Sequence, residues 1–222
     1  MKSKNKILKI TCDGGAATGK STGAKLIAKK YNLAFLSSGL LYRYAAYLIL
    51  NQKPQNEILF LKRKFKKLNY KKLNKMNLHT SKISDFSSVI ARNIYIRNIL
   101  KEYQINFIKK NKGCVLEGRD ASTKILPTSD VKFFFICALR IASKRRFKEL
   151  KKNDRKIALA DVEKALKSRN ILDKKRKHSP LKKHKNAVVV DTGKLNKQAM
   201  VSKMSKHVEQ IVKKKYGNRT RN

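Results

Sequence analysis

The chain has 222 residues with 56 Lys or Arg against 14 Asp or Glu, a formal net charge of +42; this length suits a single α/β domain, residues 1–222, with modest inserts. Its cations are spread from end to end without an aromatic-studded basic stripe, so a drift toward AT-rich codons for Lys, Asn and Ile accounts for them better than a dedicated nucleic-acid surface, although non-specific attraction to polyanions is expected. No apolar run nears the roughly 20 residues that span a bilayer, and Cys12, Cys114 and Cys137 form no C-x-x-C pair, so the expectation is a soluble cytoplasmic chain with no disulfide framework, zinc site or membrane partner.

Residues 7–12 read as a short strand. They run into Gly14-Gly15-Ala16-Ala17-Thr18-Gly19-Lys20-Ser21, which fits G-x-x-x-x-G-K-S/T, and residues 21–31 follow with Ala24, Ile27, Ala28 and Tyr31 on one helical face. Strand, glycine loop and helix in this order make a phosphate cradle: loop amides turn toward phosphate oxygens, and the new helix points its positive end at the same place. Lys20 is placed to reach β- and γ-phosphates and the Ser21 hydroxyl to ligate Mg²⁺. Residues 34–36 make a second strand and residues 40–50 a buried helix. Residues 51–87 turn lysine-dense and ragged after Pro54 and read as an insert over the core. A helical rhythm returns over residues 88–110, then a buried strand over 113–117 ends at Gly118-Arg119-Asp120. The apolar strand 131–137 precedes a basic helix (141–151), a polar break at Asn153-Asp154-Arg155 that suits a flap, a helix (161–175), a strand (187–190), a last helix (197–214) and a polar tail.

Strands separated by helices, with continuous apolar runs, predict a five-stranded parallel sheet covered on both faces. Ligands in such folds lie beyond the carboxyl ends of the strands. The phosphate loop, Ser38, Asp120 and the segment after Cys137 share that edge, so one cleft is expected to gather them. Arg43, Arg97, Arg119, Arg169 and Arg176 recur at the same ends, with Arg145, Arg146 and Arg155 around the flap; guanidinium forks suit phosphate. Arg169, Asp173 and Arg176 stand at i, i+4 and i+7 on one helical face. From spacing alone this is equally a surface salt bridge worth about 0.5 kcal/mol or less.

The blocks from Asp13 to Thr22, Ser38-Gly39-Leu40-Leu41-Tyr42-Arg43, Gly118-Arg119-Asp120 and Arg169-x-x-x-Asp173-x-x-Arg176-x-x-Ser179-Pro180-Leu181 resemble, in order, the motifs of bacterial cytidylate kinases. The resemblance implies a P-loop kinase of three layers, with a nucleotide-binding insert (residues 51–87) and a mobile lid (143–160), acting as a monomer. It implies transfer of the γ-phosphoryl group of ATP to CMP or dCMP with Mg²⁺. Gly14, Gly15, Ala16, Ala17, Thr18, Gly19, Lys20, Ser21 and Thr22 would hold the donor; Ser38, Ser88, Arg97 and Asp120 would face the acceptor nucleoside and its base. Arg43, Arg119 and Arg176 would take its phosphate, Arg169 and Asp173 its sugar. Lys20, Arg119, Arg176, Arg145 and Arg146 would act on the phosphoryl group in flight. Four positions depart from the family's common pattern: Ser37 for aspartate, Ser122 for glycine, Ile94 for proline and His79, taken as a surface residue, for arginine. The alternatives are a kinase for UMP or AMP on the same core, or a basic nucleic-acid-binding protein with a relic nucleotide fold.

Overall fold

The computed structural model describes residues 8–151 and 156–217. In chain order the elements are β1 (Lys9–Gly14), α1 (Lys20–Lys30), β2 (Ala34–Ser37), α2 (Ser38–Gln52), α3 (Glu57–Lys66), α4 (Tyr70–Leu73), α5 (Ser81–Ile90), α6 (Ile94–Lys110), β3 (Cys114–Gly118), a π-helical turn (Ala121–Ile125), β4 (Val131–Ile136), α7 (Leu139–Lys151), α8 (Leu159–Lys175), β5 (Val188–Asp191) and α9 (Lys197–Tyr216). The strands form one five-stranded sheet in the order β2-β3-β1-β4-β5, with every pairing parallel. Three expectations fall outside the described residues: Ile7 at the start of the first strand, the break at Asn153-Asp154-Arg155, and most of the polar tail.

Side-chain alternation along the strands divides the core between two faces. On one, Ile10, Cys12, Phe133, Phe135 and Val190 pack with Ala24 and Ile27 of α1 and with Met200 and Met204 of α9. On the other, Leu36, Cys114 and Leu116 pack with Leu41 and Ala45 of α2 and Ile96 and Leu100 of α6. A smaller cluster joins α7 to α8 through Ala142, Leu150, Val162 and Leu166, with Ala16 of the glycine loop at its edge.

Residues 51–87 are ordered where the pattern reads as ragged. Asn56, Asn69 and Thr80 cap α3, α4 and α5 in turn, and Leu61, Phe65, Leu73, Leu78 and Ile83 bury themselves in the α2/α6 cluster. Three short amphipathic pieces, each restarted by a cap, keep no common phase. The helix expected over residues 88–110 is likewise two helices. Asn93 accepts from the amides of Tyr95 and Ile96 and starts α6 afresh, leaving Ser88 in α5. Ile94 is thus the first residue of its helix, a position where proline is also well tolerated, which accounts for the departure there.

The phosphate loop is seated by the close approach of β1 and β4. A Cβ built on Gly14 would lie 2.5 Å from the Phe135 carbonyl oxygen, a backbone atom that cannot step aside. Gly14→Ala is therefore expected to cost about 1–3 kcal/mol through overpacking, read as a lower urea midpoint; an unchanged midpoint would contradict this packing.

Candidate active site

The chain leaving β1 turns through left-handed backbone at Ala17 (φ 56°) and Gly19 (φ 77°) before α1 begins at Lys20. Distant groups hold the turn: the Asn170 side chain of α8 accepts from the Ala16 amide at 3.1 Å, and the Thr192 hydroxyl just past β5 donates to the Thr18 carbonyl at 2.8 Å. Thr18 Oγ1 donates back to the Gly15 carbonyl at 3.0 Å. No side chain caps α1, so its first amides stay directed outward, with the exposed Ser21 and Thr22 beside them. That is an anion-receptive terminus. Gly14 is the last residue of β1, and Phe135 fills the space its missing side chain leaves.

Lys20 is buried. Its Nζ donates to the Gly15 carbonyl at 2.9 Å and pairs with Glu117 at 3.5 Å. Burial, then the positive field of Arg119, lowers its pKa to about 7. Burial opposes ionisation of Glu117, but Lys20, a hydrogen bond from the Ser37 hydroxyl, Arg119 and Arg43 outweigh it and hold the pKa below its usual value. Ser37 also caps α2 by accepting from the Leu40 amide, a task aspartate performs equally well. Asp13 anchors the turn after β3: its carboxylate accepts from the amides of Ala121 at 2.8 Å and Ser122 at 2.7 Å and from the Ser122 hydroxyl at 2.5 Å. Burial raises the Asp13 pKa to about 6, with the Ser122 bonds pulling the other way. Serine in place of glycine at 122 thus adds one donor to a buried carboxylate.

Beyond Gly118, Asp120 and Asp173 are engaged by arginines. Arg97 donates to Asp120 at 2.5 Å and to the Ala91 carbonyl at 3.1 Å; Arg119 donates to Asp173 at 2.8 Å. Arg176 donates to Asp173 at 3.4 Å and, through Nε, to the Ser179 carbonyl at 2.6 Å. Asp173 is buried, and although burial opposes its charge, Arg119, Arg169 and Arg176 hold its pKa below the usual range. This removes the surface salt-bridge reading of the spacing. It also corrects the expected single helical face: α8 ends at Lys175, Arg176 has extended backbone (φ −61°, ψ 140°), and Asp173 pairs with Arg119 and Arg176. Among the described residues, the buried guanidinium nitrogens Arg169 Nε and Arg176 Nη2 have no hydrogen-bond partner, although Arg176 Nη2 stands 3.9 Å from Asp120.

Two adjoining cavities open along the strand ends. The larger, about 770 Å³, is walled by residues 16–22, Arg43, Glu117, Arg145 and Arg146. The smaller, about 40 Å³, is walled by Ser38, Ser88, Asp120, Asp173 and Arg176. Arg119 and Arg169 border both. Most of the expected site residues therefore meet at one edge of the sheet, with three differences. Arg43 faces the larger cavity, apart from Arg176. Arg97 lines neither and pairs with Asp120. Arg155 lies outside the described residues. The two neighbours in α7 diverge: Arg145 donates to Thr192 Oγ1 at 2.9 Å and to its carbonyl at 2.7 Å, whereas Arg146 reaches the His79 carbonyl at 3.0 Å and Ser84 Oγ at 3.1 Å. His79 is exposed as expected, yet its surface is the wall of the larger cavity, where burial and then Arg43 lower its pKa to about 4.

Motif spacing assigns no role to Glu117, Asp13, Asn170 or Thr192. For Glu117 and Asp13 a signal exists, since each is a carboxylate at the end of an otherwise apolar strand. Asn170 and Thr192 carry none, because their partners lie more than 150 residues away in sequence.

In the arrangement of its backbone the chain is similar to a shikimate kinase from Bacteroides thetaiotaomicron, with a TM-score of 0.53 and 12% identity covering 91% of this chain and 98% of that one. TT1252 from Thermus thermophilus is similar with a TM-score of 0.51 at 14% identity, covering 91% and 96%. These share the fold. Closer in sequence are the cytidylate kinases of Bartonella tribocorum, 35% identical over 209 residues (92% of this chain, 95% of that one), and Rickettsia akari, 30% identical over 204 (90% and 91%). That of Fusobacterium nucleatum is 32% identical over 213 residues, covering 91% and 97%. The family model described as cytidylate kinase matches residues 10–210, so the chain belongs to the cytidylate kinase family of phosphotransferases.

Proposed function

We propose that the chain transfers the γ-phosphoryl group of ATP to CMP or dCMP. The observation that carries this reading is the pair of adjoining cavities bordered by Arg119 and Arg169, one beside an uncapped helix terminus and Lys20, the other lined by Arg176, whose buried Nη2 makes no hydrogen bond. Residues 15–22 would hold the donor phosphates. Arg119, Arg176 and, after a shift of its side chain, Arg43 would hold the acceptor phosphate, and Arg169 and Asp173 the sugar. Ser38, Ser88 and Asp120 would face the base, with Arg97 fixing Asp120.

The residues present fit Mg²⁺, which takes most of its ligands from phosphate oxygens and water and needs few from protein. The Ser21 hydroxyl, exposed and lining the larger cavity, would ligate it, and the buried Glu117 carboxylate lines the same cavity. When bound, the ion would neutralise charge on the donor phosphates. Lys20 and the arginines would stabilise negative charge on the phosphoryl group as it moves, and no general base is required of the protein. Arg145 and Arg146 would serve the same charge when residues 143–160 close as a lid over the cavity and residues 51–87 move as the acceptor-binding insert; closure would exclude water that otherwise hydrolyses ATP. The free thiols of Cys12, Cys114 and Cys137 suit a reducing cytoplasm, and no described helix is long and apolar enough to cross a membrane.

The direct test is ADP release measured with CMP, dCMP, UMP, AMP and GMP as acceptors. CMP and dCMP are expected to lead; a preference for AMP or GMP would overturn the assignment, and salt-sensitive RNA binding without any turnover would point to the relic fold instead. Lys20→Ala is expected to lower kcat about 100-fold or more with the far-ultraviolet circular dichroism unchanged, because the lost charge acts on the moving phosphoryl group. An unchanged rate would remove the loop from catalysis.

A further inference from the structure

Gln104 lies on α6, is 2% exposed, and belongs to none of the motif blocks. Its amide orientation is fixed from both ends. Nε2 donates to the Leu100 carbonyl one turn earlier at 3.0 Å, and Oε1 receives the Ser38 hydroxyl at 2.5 Å. Flipping the amide would set its oxygen against the Leu100 carbonyl oxygen and forfeit that bond in a buried place. The polarity of the Ser38 contact follows from this.

A serine hydroxyl has one hydrogen and two lone pairs. The Ser38 hydrogen is committed to Gln104, so toward the smaller cavity Ser38 offers lone pairs alone. Ser38 is itself only 5% exposed and stands at the first position of α2, so its hydroxyl has little room to turn away. A Cβ at position 118 would lie 3.2 Å from Ser38 Oγ, and glycine there leaves the hydroxyl room on that side. The Asp120 carboxylate, held by Arg97 through one oxygen and with the other 3.9 Å from Arg176 Nη2, lines the same cavity and offers oxygens alone.

We infer that Gln104 is a specificity-determining positioning residue: by taking the hydroxyl hydrogen of Ser38 it makes Ser38 an obligate acceptor beside Asp120. The cavity also carries donors on Arg119, Arg169 and Arg176, so it is the pair Ser38 and Asp120 that matches the two N–H bonds of the cytosine 4-amino group and opposes the 4-carbonyl oxygen of uracil. Leaving such buried groups unpaired is the kind of penalty that supports strong discrimination. The inference rests on the cytidylate reading above and adds to it the group that sets the polarity of the base site.

The test is the ratio of kcat/KM for CMP to that for UMP in the wild-type chain, Gln104→Met and Gln104→Glu. Methionine accepts the hydrogen bond poorly and frees the Ser38 hydroxyl to donate to the uracil carbonyl, so the ratio is expected to fall about tenfold or more. Glutamate, kept protonated by burial, donates its hydroxyl to the Leu100 carbonyl and keeps an acceptor oxygen opposite Ser38, so the ratio should stay within about threefold of wild type. A role confined to packing would lower both substrates together and leave the ratio of Gln104→Met unchanged, which overturns the inference while the cytidylate kinase assignment stands. Wild-type turnover that favours UMP or AMP overturns the assignment and this inference with it. If Gln104→Met does not fold, Gln104→Asn, too short to reach Ser38, makes the same comparison. On the unaltered chain, the ribonucleotide of 2-pyrimidinone, which has hydrogen in place of the amino group, should be turned over about tenfold or more less efficiently than CMP; equal efficiency would also overturn the inference.

Discussion

The site depends on one adjacency. β1 and β3 are parallel neighbours with Cys12 beside Glu117 and Asp13 beside Gly118, so the phosphate loop and the Gly118-Arg119-Asp120 segment emerge about 4.8 Å apart on the same edge of the sheet. Asp13 fixes the second of these to the first by accepting three hydrogen bonds from Ala121 and Ser122. Lys20 crosses the same gap to Glu117. Everything the two cavities hold is placed relative to this pair of strand ends. The wall on the other side comes from β5, where Thr192 ties the loop to Arg145.

The cleft is built with more buried positive charge than its own carboxylates neutralise. Burial, with neighbouring guanidinium groups adding to it, lowers Arg43 to about 9 and Arg169 to about 10, and Lys20 stands at about 7. Asp120, Asp173 and Glu117 are each shared with at least one cation, and among the described residues the buried nitrogens Arg169 Nε and Arg176 Nη2 still make no hydrogen bond. Such a site is strained when empty and relieved by anions, which links binding of phosphates to stability by mass action.

Much of this was legible in the sequence, for physical reasons that can be named. Buried parallel strands read as continuous apolar runs, and the loop that cradles phosphate has a fixed length, so the sheet, both helical layers and the donor side follow from local pattern. The short helices α3 to α5 were hidden because α3 and α4 carry lysine-rich faces and each of the three starts at a capping residue that resets the phase. The end of α8 before Arg176 was hidden because the periodicity continues past the point where the backbone extends. The polarity of Ser38 was out of reach of any local reading, since it is decided by an amide 66 residues away. Asn170 and Thr192, which hold the loop from across the fold, belong to the same class. Arg145 and Arg146 show the limit most plainly: adjacent and alike in sequence, they point to opposite walls of the cavity.

The central claim is that donor and acceptor phosphates meet where Arg119 stands between the two cavities. A crystal structure of the chain with CMP and a non-hydrolysable ATP analogue bound together tests it most directly. The account predicts the triphosphate on the amides of residues 15–21 and the CMP phosphate on Arg119 and Arg176, with the cytosine amino group at Ser38 and Asp120. A ternary complex in which Asp120 and Arg176 touch neither nucleotide would contradict it.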